Sequence, residues 1–197
     1  MLGFYNYTVI LTYAGALSGF SGILCAANGE ISKAAHCLIA AGVCDMFDGK
    51  IASTMKRTKQ EKRFGIQIDS LSDLICFGAL PAVMVYEECK GSGLSLFLCG
   101  LYVLCALIRL AWFNVDEEER QDREEGGRQY YLGLPVTSMA IILPILMELG
   151  AAWRWPMQVV APSALLLASA AFLTPFRIGK PDVVRVASKA GALLGFL

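Results

Sequence analysis

The sequence has no basic stretch interleaved with aromatic residues, and its 17 Lys and Arg are matched by 17 Asp and Glu. Nothing in it points to a nucleic-acid partner. There is a single histidine, His36, near the end of an apolar run, which reads as an interface residue. Seven cysteines are present but no C-x-x-C pair. They read as small apolar packing residues in a reducing or membrane setting. The first residues, MLGFYNYTVILTY, lack a basic n-region and a small-residue cleavage site. They are expected to form the first helix of the mature chain, not a removable signal. No internal repeat or low-complexity segment stands out.

What the sequence does have is apolar residues, at 56% with a mean hydropathy of +0.54. A soluble domain has about 45–50% on a similar count, so an all-α, multi-pass membrane helix bundle is expected. About 20 apolar residues cross a bilayer core. That length predicts six spans, at residues 7–27, 34–55, 65–86, 94–115, 133–152 and 157–176. The tail PDVVRVASKAGALLGFL is expected to be an interfacial helix or the start of a further span. The whole chain, 1–197, reads as a single domain. The stretch VDEEERQDREEGGRQ reads as a solvated loop.

Loop charge orients the spans. Twelve Lys and Arg fall after the second, fourth and sixth spans, against Lys33, Lys90 and Arg154 on the other side. The positive-inside rule then places the N-terminus in the cytoplasm.

Four aspartates interrupt this pattern. Asp45 and Asp48 lie in CDMFDGKIAS, and Asp69 and Asp73 in FGIQIDSLSDLICFG. A carboxylate at membrane depth costs roughly 2.5–3.5 kcal/mol on insertion scales, so it must be paired, metal-bound or facing a polar cavity. The spacings i,i+3 and i,i+4 put each pair on one helix face. Two adjacent helices so equipped make an all-oxygen site suited to hard divalent cations. By the orientation above, it opens towards the cytoplasmic leaflet.

The pattern D-x2-D-G-x2-A from Asp45 to Ala52, followed by G-x3-D-x3-D from Gly65 to Asp73, resembles the signature of the CDP-alcohol phosphatidyltransferases. The resemblance covers most of the chain, because that family has a six-helix membrane core. Two departures stand out. Ser53 occupies the place of the family's arginine, and eleven residues separate Ser53 from Gly65, more than the family pattern has. Further stretches resemble the phosphatidylserine synthases of that family. They are the D-S-x-x-D context of Asp69 and Asp73, ALIRLAWFNV with Arg109 and Asn114, the G-L-P of YYLGLPVTSMA, and VILTYAGALSG with Thr12 and Gly19. Trp112 and Val9 stand where an Arg and an Asn are usual there.

The resemblance implies transfer of a phosphatidyl group from CDP-diacylglycerol to L-serine, releasing CMP, with two Mg2+ or Mn2+ ions. It implies that Asp45 and Asp69 bridge the ions and that Asp48 completes the first site. Asp73 would touch the second ion and take the acceptor's proton. Thr12, Gly49, Ala52, Ser53 and Gly65 would lie against the CDP-lipid. Lys56 or Arg57 would stand in for the missing arginine on its phosphates. Arg109 and Asn114 would face the acceptor, and the chain would form a homodimer. Glycerol-3-phosphate or inositol phosphate as acceptor is the alternative within the family. Basic residues embedded in the spans are few, Lys50 and Arg109 among them, which favours an amino-acid acceptor. A membrane cation transporter is the alternative outside the family, and it leaves the D-G-x2-A spacing unexplained.

Overall fold

The computed structural model describes residues 3–52, 54–123 and 130–179. Helix α1 (Tyr7–Ala27) leads through a tight turn into α2 (Ile31–Ala52). Helix α3 (Lys59–Asp73) continues without a break through a π-helical turn (Leu74–Ala79) into α4 (Leu80–Glu88). Then come α5 (Gly93–Arg123), a 3-10 turn (Val136–Ser138), α6 (Met139–Ala152) and α7 (Met157–Leu173). Strands β1 (Tyr130–Leu132) and β2 (Arg177–Gly179) form one short antiparallel pairing. The chain is thus a helical bundle, with a helix at each of the six expected spans. The C-terminal tail beyond residue 179 lies outside the described residues.

Among the described residues, three stretches are long and apolar enough to cross a membrane, Tyr7–Ala27, Lys59–Glu88 and Gly93–Glu119. Shorter apolar helices cover Val136–Ala152 and Met157–Leu173. The distribution of side chains is that of a membrane protein. Large apolar groups such as Leu17, Phe20, Leu96, Phe97 and Leu167 face outward, while Thr12, Asp48, Asp73 and Arg109 are buried. In water this arrangement would expose a continuous apolar surface.

Two boundaries differ from expectation. The third span starts at Lys59 instead of residue 65, because Thr58 and Glu61 form a capping box. Glu61 N–H donates to Thr58 Oγ1 at 3.2 Å, and Thr58 N–H donates to Glu61 Oε2 at 2.8 Å. This satisfies two donors that the helix start would otherwise leave open. Helix α5 likewise runs past residue 115, so residues 116–123 of the expected acidic loop are helical. Residues 124–129 of that loop lie outside the described residues.

Small residues let the helices approach closely. A Cβ on Gly22 would come 2.7 Å from Leu80 Cδ2 and 2.9 Å from Cys37 Cβ, and one on Gly19 would come 3.0 Å from Cys76 Cα. Such contacts bring backbones together where lipid supplies no hydrophobic drive between helices. Through them α1 holds α2 on one side and the π turn on the other.

Two prolines in the helices remove backbone donors, and a side chain from a neighbouring element supplies one in each case, as lipid cannot. Pro81 offers no N–H to the Phe77 carbonyl, which accepts the Tyr102 hydroxyl at 2.6 Å. Pro162 offers none to the Gln158 carbonyl, and the Cys89 thiol donates to it at 3.7 Å.

The segment before α1 packs on the start of α3. Asn6 Nδ2 donates to Glu61 Oε1 at 3.4 Å, and the Phe4 and Phe64 rings meet edge to face at 5.3 Å.

Candidate active site

The close packing of α1, α2 and α3 brings three aspartates together. Carboxylate oxygens of Asp45 and Asp48 on α2 and of Asp69 on α3 lie within 4.8 Å of one another. Three carboxylates at this spacing repel strongly unless protons or a cation lie between them. Their donor set is all oxygen, as a hard divalent cation requires, and their geometry fits one. Asp48 is 9% exposed, and the buried Thr12 donates to its Oδ2 at 3.3 Å. The hydroxyl holds that carboxylate from the α1 side and leaves the other side to the trio.

Asp73 lies one turn beyond Asp69 on the same helix and is also 9% exposed. It is not one of the trio. Its neighbours tie the helix to α1. Ser72 Oγ donates to the Thr12 carbonyl at 3.3 Å, and Cys76 Sγ to the Gly15 carbonyl at 3.2 Å.

The two glycines of the motif differ in their surroundings. Among the described residues, a Cβ on Gly49 would meet nothing within 4 Å, so none of the described helices packs on it. A Cβ on Gly65 would meet the Arg57 guanidinium, with Nη1 at 3.2 Å. Arg57 therefore folds back from the α2–α3 connection onto the face of α3 that leads to Asp69. Lys56 is exposed and Ala52 half-buried. Ser53 lies outside the described residues.

On α5, Arg109 is 6% exposed. Asn114 is engaged with α3: its Oδ1 accepts from Ser70 Oγ at 2.5 Å, and its Nδ2 donates to Gln67 Oε1 at 3.3 Å. Gln67 Nε2 in turn donates to Glu118 Oε1 at 3.3 Å. Sequence reasoning missed this ladder. Its signal was there in the i,i+3 pair Gln67 and Ser70 and the i,i+4 pair Asn114 and Glu118, polar faces on two helices that must meet.

The family model for CDP-alcohol phosphatidyltransferases matches residues 5–175. The CDP-diacylglycerol–serine O-phosphatidyltransferase of Saccharomyces cerevisiae is 31% identical over 142 residues, 68% of this chain and 50% of that protein. The archaetidylserine synthase of Methanothermobacter thermautotrophicus is 33% identical over 135 residues, 68% of this chain and 54% of its own. A CDP-diacylglycerol–serine O-phosphatidyltransferase of Mycobacterium leprae is 29% identical over 148 residues, covering 73% and 48%. The chain spans about half the length of these curated relatives.

Proposed function

The chain belongs to the CDP-alcohol phosphatidyltransferase family, and from that premise we propose that it transfers the phosphatidyl group of CDP-diacylglycerol to L-serine, releasing CMP. The observation that carries this is the carboxylate trio of Asp45, Asp48 and Asp69 beside the open face of Gly49. The serine acceptor is supported by the names of the relatives above.

Asp45, Asp48 and Asp69, with Asp73 beyond them, would hold two Mg2+ or Mn2+ ions. Bound there, divalent ions supply charge neutralisation of the pyrophosphate. The chain's own residues do the rest. The bare backbone at Gly49, with Ala52 one turn on, leaves room for the cytidine nucleotide. Arg57, lying over Gly65 with Lys56 beside it, takes the place of the family's arginine on the phosphates. The serine hydroxyl oxygen bonds to the lipid-side phosphorus, the bond to CMP breaks, and Asp73 receives the hydroxyl proton. Arg109 pairs with the serine carboxylate, and Asn114 keeps one amide N–H for the acceptor while its other groups hold α3. We place the site on the cytoplasmic side, on the strength of the basic loops, and the chain in a homodimer, as the family resemblance implies. We read the bundle and the residues outside the description as one domain.

The direct test is CMP release from CDP-diacylglycerol by the purified protein across a panel of acceptors. Release is expected only with L-serine and a divalent cation. Faster release with glycerol-3-phosphate or inositol phosphate would overturn the serine assignment. Cation flux without CMP release would overturn the transferase reading.

Two substitutions probe the substrate contacts. Arg57→Ala should raise the KM for CDP-diacylglycerol roughly tenfold, since a hydrogen bond to a charged group is worth about 1.5–3 kcal/mol; an unchanged KM removes Arg57 from the phosphates. Arg109→Lys loses the bidentate fork that matches a carboxylate. It should raise the serine KM far more than that for CDP-diacylglycerol. Equal rises would make Arg109 a structural or pyrophosphate contact.

A further inference from the structure

We propose that Tyr102 is a positioning residue for Asp73, acting through the π turn that follows it; the proposal rests on the role given to Asp73 above. Asp73 is the last residue of α3, and the π turn begins at Leu74. A π turn is one residue wider than an α turn and marks functional sites more often than chance. One extra residue rotates the helix before it by about 100° relative to the helix after it, the angle of one residue in an α-helix. The π turn therefore sets the direction from which α3 presents Asp69 and Asp73, while α4 keeps its own packing face in the core.

A wide turn of this kind must be held. Pro81 cannot donate to the Phe77 carbonyl, so the regular α bond at that point is ruled out by chemistry. The Tyr102 hydroxyl donates to that carbonyl instead, at 2.6 Å. Tyr102 is fully buried on α5, with its ring 5.6 Å from that of Phe172 on α7. On the opposite side Cys76 bonds the Gly15 carbonyl of α1. The turn is thus gripped between α1 and α5, and from α5 the Tyr102 hydroxyl supplies a hydrogen bond to it.

The test uses Tyr102→Phe, which deletes that hydroxyl and keeps the ring, and Pro81→Ala, which returns a backbone N–H opposite Phe77. The purified full chain in detergent is measured for its thermal midpoint, for kcat and KM of CMP release, and for Mn2+ binding by electron paramagnetic resonance. Tyr102→Phe should lower kcat about tenfold to a hundredfold, as small misplacements of reacting groups do, with little change in the CDP-diacylglycerol KM. Its midpoint should fall. Adding Pro81→Ala should restore the midpoint but not kcat, because the new donor favours a regular α turn and the wrong rotation for Asp73.

A wild-type kcat in Tyr102→Phe overturns the proposal. So does recovery of both midpoint and kcat in the double variant, which would make Tyr102 a stabilising residue only. If the unsubstituted protein releases no CMP with any acceptor, the transferase reading fails and Mn2+ binding decides. Weaker binding in Tyr102→Phe, unrelieved by Pro81→Ala, then reports a turned α3 face through Asp69, which shares that face with Asp73, and supports the positioning role. Unchanged binding, or no binding by the unsubstituted protein, overturns it.

Discussion

Asparagine at any one of Asp45, Asp48, Asp69 or Asp73 is expected to lower serine-dependent CMP release by at least about a hundredfold, the low end of what a positioned acid–base group contributes. The bundle should stay folded in detergent, because asparagine is nearly the same shape and removes a charge that the membrane disfavours. The four variants should not behave alike. Asp45, Asp48 and Asp69 share one cluster of oxygens, so their loss should weaken Mn2+ binding as well as turnover. Asp73 stands outside that cluster, so its loss should fall on turnover more than on cation affinity. Size-exclusion chromatography, Mn2+ titration and CMP release together separate these outcomes. A variant with full turnover at any position takes that residue out of the site.

Leucine at Gly49 should raise the KM for CDP-diacylglycerol at least about tenfold, the equivalent of about 1.4 kcal/mol, and leave the thermal midpoint where it is. The reason is the open space over Gly49, where an added Cβ meets no atom within 4 Å. A side chain there starts in open space and would fill the place proposed for the nucleotide. Gly22→Leu is the control. Its Cβ would press on Leu80 and Cys37 at 2.7 and 2.9 Å. Overpacking of this kind costs about 1–3 kcal/mol, so that variant should lose stability first and activity as a consequence. If Gly49→Leu keeps normal CDP-lipid affinity, the glycine has no part in nucleotide binding.

The contrast between these two glycines shows what could be read from the residues and what could not. The family pattern marks Gly49 as a CDP-lipid contact, and no motif marks Gly22. Only the neighbours of each, supplied by other helices, show that space is open over the one and filled over the other. The six helices themselves were legible, because the bilayer sets a length that apolar runs must meet and charged loops interrupt. The paired aspartates were legible for the complementary reason, as charges where the membrane makes charge costly. Thr58 and Glu61 were legible in principle as a capping box, but the basic residues around them read as a connection. The π turn was hidden. Nothing in LICFGA announces it, and it becomes intelligible only with Pro81 below it and Tyr102 reaching in from another helix. The bonding of Asn114 to Ser70 and Gln67 was hidden in the same way, since the partner of a polar face is not written on the face.

The carboxylate trio is drawn entirely from α2 and α3, with Thr12 of α1 behind Asp48. Every one of these residues, and Asp73, precedes α5 in the chain. During synthesis the ribosome therefore makes all of these carboxylates before it has made Arg109 or Asn114. A divalent cation meeting that nascent three-helix hairpin can couple its binding to the closure of α3 on α1 and α2, as metals do in small domains that fold around them. The order of translation then makes the carboxylate cluster first and Arg109 and Asn114 afterwards.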